Sequence, residues 1–181
     1  MKLSHYHQNI LLNIAEWSIL DFLNHHKRNP LPRKFELDRI LRKKSGAFVS
    51  VYVNENLRGC IGTFSESEPL FKNVQLMALQ AAFEDDRFDP ISIEDTKELT
   101  VEISVLSPRL KIHDPEEIEI GTHGIYLIHG IRRATLLPQV AVKYNYNAVE
   151  FLECCAKNKL GLSKDSWKDS ELFVYEAFVF K

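Results

Sequence analysis

The side chains of this chain best suited to chemistry gather in Leu57-Arg58-Gly59-Cys60-Ile61-Gly62-Thr63-Phe64. In an extended segment successive side chains alternate, so Arg58 and Cys60 share one face while Gly59 and Ile61 share the other. Two glycines inside a strand give up packing and backbone entropy, and they mark a bulge or a close approach of another group. Cys60 has two readings. It is a thiolate nucleophile, activated by Arg58 or by the start of the following helix, or it is a small buried hydrophobe, as free cysteine often is. Arg58 also has two: it holds a carboxylate or phosphate of a ligand bidentately, or it pairs with Glu102 across a sheet.

Further candidates lie downstream. Glu102 and Ser104 occupy the polar side of the alternating run Leu99-Thr100-Val101-Glu102-Ile103-Ser104-Val105-Leu106, where exposure to solvent is the plain alternative. His123, between Thr122 and Gly124, is the best acid–base candidate among seven histidines, histidine being the side chain whose unshifted pKa lies nearest neutrality; a turn histidine that caps backbone groups is the structural alternative. Gln139, after Pro138, either orients a polar ligand or satisfies backbone groups where a strand breaks. Cys60, His123 and Glu102 together would make a thiol-dependent hydrolase, although the order and spacing of such groups do not transfer between families. No Cys-x-x-Cys, His-Glu-x-x-His, phosphate-loop or Gly-x-Gly-x-x-Gly pattern occurs, so no metal is assigned and the cofactor is unknown.

The elements that must position these groups follow from periodicity. Apolar residues at helical spacing give an amphipathic helix from about His5 to His26, which Pro30 and Pro32 terminate. A linker with Phe35, Leu37, Ile40 and Leu41 follows, and its Arg39, Arg42, Lys43 and Lys44 read as a solvated face. Gly46–Val53 and the Arg58–Cys60 stretch form a hairpin across Asn54-Glu55-Asn56. Ser65-Glu66-Ser67-Glu68-Pro69 has the composition of a helix start, and Leu70, Val74, Met77, Ala78, Ala81 and Ala82 continue that helix to Glu84-Asp85-Asp86. Acidic residues at a helix C-terminus oppose its dipole, and Arg87 is the natural partner for them. Then come the strand 99–106, a capped turn at Asp114-Pro115, strands 125–129 and 134–137 around Gly130, a helix capped by Asn147 and closed by Gly161, and a last strand 171–180. The order lacks regular βαβ alternation, so the fold class is α+β with mainly antiparallel sheets and flanking helices.

Composition bounds the function. The 181 residues, 45% of them hydrophobic, support a proper core as one domain or two joined subdomains. A net charge of −2 argues against a general nucleic-acid binder. No apolar run reaches membrane-spanning length, Met1–His5 lacks a signal-peptide core, and three cysteines make no disulfide framework, all of which points to a cytoplasmic protein away from the membrane.

Leu57-Arg58-Gly59-Cys60-Ile61-Gly62 resembles the hallmark hexapeptide of the AMMECR domain family, whose bacterial and archaeal members are called AmmeMemoRadiSam system protein A. The likeness continues through Gly46-Ala47-Phe48-Val49, Ala81-Ala82-Phe83, Asp86-Arg87-Phe88, Pro90, residues 102–107, His123-Gly124, residues 136–141, Phe151-Leu152 and Trp167. It covers roughly residues 5–180 and implies a single domain over 1–181 built as two unequal subdomains around a groove, the larger drawing on both chain ends. The label also implies a functional association with Memo-like and radical SAM proteins, without naming a reaction. The resulting expectation is a domain that binds an unknown small molecule or protein in a groove around Leu57–Gly62, through Arg58, Gly59, Gly62, Ser104 and Gln139. The alternatives are a thiol enzyme using Cys60, His123 and Glu102, or a non-catalytic protein–protein adaptor.

Overall fold

Ser4 starts the first helix, α1 (His5–His25), through a capping box in which its hydroxyl accepts from the His7 N–H and the His7 ring accepts from the Ser4 N–H. The computed structural model describes residues 3–33 and 39–181; Phe35 and Leu37 lie outside the described residues. The chain divides into two compact units, the first formed by residues up to Leu106 together with Phe178–Lys181, the second by Ser107–Ala177. Among the described residues no helix is long and apolar enough to cross a membrane.

The first unit contains α1, β1 (Ala47–Val53), β2 (Asn56–Thr63), α2 (Leu70–Phe83), a 3-10 turn at Glu94–Glu98 and β3 (Leu99–Leu106). β1 lies between β2 and β3 and pairs antiparallel with both. Val49, Val51, Val101 and Ile103 point to one face of this sheet and are buried with Leu11, Ile14 and Ile19 of α1 and Leu70, Val74 and Ala78 of α2. Each such side chain contributes about 1.5–3 kcal/mol when fully buried, so this layer holds the unit together. The helix can lie close only because β2 carries Gly59. A Cβ there would stand 1.8 Å from the Ala81 carbonyl oxygen, a distance no methyl group tolerates.

The second unit contains β4 (Leu110–Ile112), a 3-10 turn at Pro115–Glu117, β5 (His123–His129), β6 (Arg132–Leu136), α3 (Pro138–Tyr144), α4 (Ala148–Asn158), a 3-10 stretch at Lys164–Asp169 and most of β7 (Glu171–Phe180). β5 pairs antiparallel with β6 and β7, and β4 pairs with β7. Its core joins Ile125, Leu127, Leu172 and Val174 to Phe151, Leu152, Cys155 and Ala156 of α4. Tyr175 lies against Gly124, where a Cβ would come within 2.5 Å of the ring, and its hydroxyl stands 2.8 Å from Thr135 Oγ1. Each unit is therefore helix packed on antiparallel sheet, an α+β fold.

Three local expectations change. α2 begins at Leu70 without a side-chain cap: the Ser65 and Ser67 hydroxyls bond to each other at 2.6 Å, and Ser65 meets the helix through its carbonyl, which accepts from Asn73. α4 ends at Asn158 with right-handed Lys159 as its cap, and Gly161 takes a positive φ of 67° two residues later, in the turn that follows. The short strand β4 carries too little alternation to be seen in sequence. The close approach at Gly59 yields a test. Gly59→Ala should cost about 3 kcal/mol or more in urea unfolding, since backbone rather than a flexible side chain must give way; a loss below ~1 kcal/mol would contradict the packing described.

Candidate functional site

With Val49 and Val51 turned to the core, Phe48, Ser50 and Tyr52 of β1 share the opposite face. Ser50 stands directly across from Cys60 on β2 and from Glu102 on β3. Opposed residues in antiparallel strands sit side by side on one face, so Cys60, Ser50 and Glu102 form a polar row across three strands. The Ser50 hydroxyl donates to the Cys60 sulfur at 3.3 Å. Next to this row, Phe48 stands across from Gly62 and Ser104. Its ring fills the space a Cβ of Gly62 would need, 2.1 Å away, and meets Phe64 edge-on at 5.7 Å. On the other side Tyr52 stands across from Leu57 and Thr100. Burial first, then the negative charge of Glu102 and a hydrogen bond with it, push its phenol above the ordinary value, opposed in part by a hydrogen bond with Ser50.

The backbone of Cys60 is held from outside the sheet. Its N–H donates to Asp85 Oδ2 at 2.8 Å, and its carbonyl accepts from the Arg87 guanidinium at 3.1 Å. Arg87 grips both oxygens of Asp85 at 2.8 and 2.6 Å. A carboxylate and a guanidinium thus supply, at Cys60, the acceptor and donor a neighbouring strand would offer. The Arg87 hydrogen bonds, with those from the Cys60 and Arg87 N–H groups, hold the Asp85 carboxyl at about 2 against the opposing effect of burial. The acidic run after α2 therefore has Arg87 as its partner. The helix start expected beside Cys60 is not there: Gly59 backs onto Ala81 and Asp85 follows directly, so Cys60 lies beside the C-terminal end of α2.

Arg58 is the extra residue of a bulge, since Val51 opposes Gly59 while Tyr52 opposes Leu57. Its guanidinium donates to Asp95 Oδ1 and to the Asp89 carbonyl, each at 3.3 Å. The pairing with Glu102 considered from sequence is not formed, because β1 separates β2 from β3. Asp95 is held below the usual carboxylate range mainly by the Ser92 N–H and hydroxyl, with Arg58 a smaller contributor.

His123 and Gln139 belong to the second unit. His123 opens β5, and its Nδ1 accepts the Glu119 N–H at 3.0 Å, a backbone-capping role. Gln139 is exposed on the first turn of α3. Within the first unit the structure joins Cys60 to Glu102 through Ser50, and Gly62 to Ser104 through Phe48. Ser50 and Tyr52 were missed in sequence. Their signal was present: in Ala47-Phe48-Val49-Ser50-Val51-Tyr52-Val53 the odd positions are all small or branched apolar residues and the even ones are not. Asp95, thirty-seven residues from Arg58, carried no local signal. A cavity of ≈ 560 Å³ also opens between Arg28–Leu31 and the first half of α2; none of the residues selected from sequence lines it.

These features define a protein class first by fold: helices on antiparallel sheets in two units. That fold is shared with the crystal structure of an uncharacterized Pyrococcus horikoshii protein, PH0010, at a TM-score of 0.85 and 31% identity, covering 93% of this chain and 88% of that one. The chain belongs to the AMMECR1 family, whose model matches residues 12–180. It is 37% identical over 183 residues to protein MK0488 of Methanopyrus kandleri, covering 94% of this chain and 86% of that protein. It is 43% identical over 140 residues to a protein of Aquifex aeolicus, covering 74% and 71%.

Two measurements check the site. Because Asp85 is depressed in the folded state, its stabilisation is complete above its unfolded value of 3.8 and fades as pH falls toward about 2. Between pH 6 and pH 2 the protein should lose about 2 kcal/mol more than its Asp85→Asn variant in chemical unfolding; parallel curves would remove the Asp85–Arg87 pair from the account. Burial pushes the Cys155 thiol up to about 12, whereas Cys60 and Cys154 are partly exposed. Brief alkylation at neutral pH followed by mass mapping should label Cys155 at least ~100-fold more slowly than either.

Proposed function

We propose that the Cys60–Ser50–Glu102 face is a ligand-binding surface, taking a polar small molecule or a side chain of a partner protein. The observation that carries this reading is Glu102. It is half-buried on the sheet face beside the Tyr52 phenol and has no ion-pair partner among the described residues, which leaves its charge available to a charged group of a ligand. Ser50 beside it is buried in the central strand, and Gly62, Phe48 and Ser104 border the row. The resemblance to AmmeMemoRadiSam system protein A supports a place for this binding step alongside Memo-like and radical SAM proteins.

Binding is favoured over thiol catalysis by the setting of Cys60. Among the described residues of its own unit no base is hydrogen-bonded to the sulfur; its hydrogen-bonding neighbour Ser50 is a donor to it. Arg58, the expected electropositive neighbour, is engaged by Asp95 and the Asp89 carbonyl. Adaptor and small-molecule binding remain variants of the same surface, distinguished by the occupant.

The test is native mass spectrometry of protein isolated from its own cells, as wild type, Cys60→Ser and Glu102→Gln. Wild type and Cys60→Ser should retain the same bound species, and Glu102→Gln should retain about tenfold less, as expected for loss of a charged contact. Unchanged retention in Glu102→Gln would overturn the reading. Normal binding with accumulated unconverted substrate in Cys60→Ser would replace it with the thiol enzyme.

A further inference from the structure

The occupant of this face has a stated chemistry. Glu102 lies diagonally from Tyr52, because Ser50 opposes Glu102 and Tyr52 opposes Thr100 on the neighbouring strand. Side chains in that relation on one face are within mutual reach when they are long or aromatic. The structure already places a cation here. The Lys181 ammonium stands 4.9 Å from the centre of the Tyr52 ring, inside the distance at which a ring face attracts a positive charge. That ammonium stops short of an ion pair with Glu102, whose carboxylate meets the Tyr52 phenol and has no ion-pair partner among the described residues. The place therefore has an aromatic wall, a carboxylate beside that wall's hydroxyl but without a counter-ion, and a replaceable cation from the chain's own side chain.

We infer that the ligand enters this face through a primary ammonium group, with Glu102 as its counter-ion and Tyr52 as its wall, and that Lys181 holds the place in the free protein. The inference rests on the binding reading above and adds the class of group recognised. An ammonium fits better than a guanidinium because the cation in place is itself an ammonium, and better than an anion because the charged side chain in the row is a carboxylate. The phenol of Tyr52, raised first by burial and next by the charge of Glu102, is consistent with a carboxylate close to the ring. Lys181 is exposed, so its departure disturbs no packing.

The probe is n-butylammonium, a lysine side-chain analogue, with n-butanol as the uncharged control, titrated into protein carrying carbon-13 tyrosine and followed by NMR. Lys181→Met should bind n-butylammonium about fivefold more tightly than wild type, because the internal competitor is gone. Adding Glu102→Gln to that variant should weaken binding about fivefold or more, and n-butanol should not saturate. Equal affinity in wild type and Lys181→Met, or affinity indifferent to Glu102→Gln, would overturn the inference. If the species retained from cells needs Glu102 while n-butylammonium does not bind, the ammonium assignment fails and the binding face stands. If neither depends on Glu102, both fall.

Discussion

The closeness of α2 to the sheet at Gly59 is the constraint on which the first unit turns. With no side chain at that position, the Ala81 carbonyl reaches the back of β2. That contact fixes the parity of the strand: Gly59 inward, Cys60 outward. It also brings the end of α2 alongside β2, so that Asp85 and Arg87 meet the amide and carbonyl of Cys60. Packing on one face of the sheet thus decides what chemistry the other face displays.

The two faces of β1 show the same logic in one strand. Val49 and Val51 join the core, while Ser50 between them carries a hydroxyl to Cys60 on one side and stands beside Glu102 on the other. A central strand rarely keeps such a residue for packing alone, because a branched apolar side chain fits a pleated surface better. The second unit uses a related device for stability: Gly124 makes room for the Tyr175 ring, whose hydroxyl is fixed at Thr135 and the Leu136 carbonyl.

Much of this was legible in the amino-acid order because it is written in local periodicity. β3 alternates strictly and β7 is an apolar run broken by Glu176, and both run over the ranges expected, Leu99–Leu106 and Glu171–Phe180, while the Asn147 cap closes a box with Glu150. The family resemblance and the α+β class were equally visible. What was not legible depends on pairing across the chain. Nothing near Arg58 announces Asp95, and no propensity shows that Ser65 and Ser67 bond to each other instead of capping α2. The choice between a helix start and a helix end beside Cys60 depends on which turn of α2 meets β2, and Gly59 decides it only once the helix is in place.

The central claim is that the sheet face bearing Cys60, Ser50 and Glu102 receives the ligand. The most direct measurement is a crystal structure of the protein isolated with the molecule it carries from its own cells. The account predicts electron density over that face, within hydrogen-bonding distance of Glu102 and alongside the Tyr52 ring. A molecule seated instead in the cavity between Arg28–Leu31 and α2, with the Glu102 face empty, would contradict it.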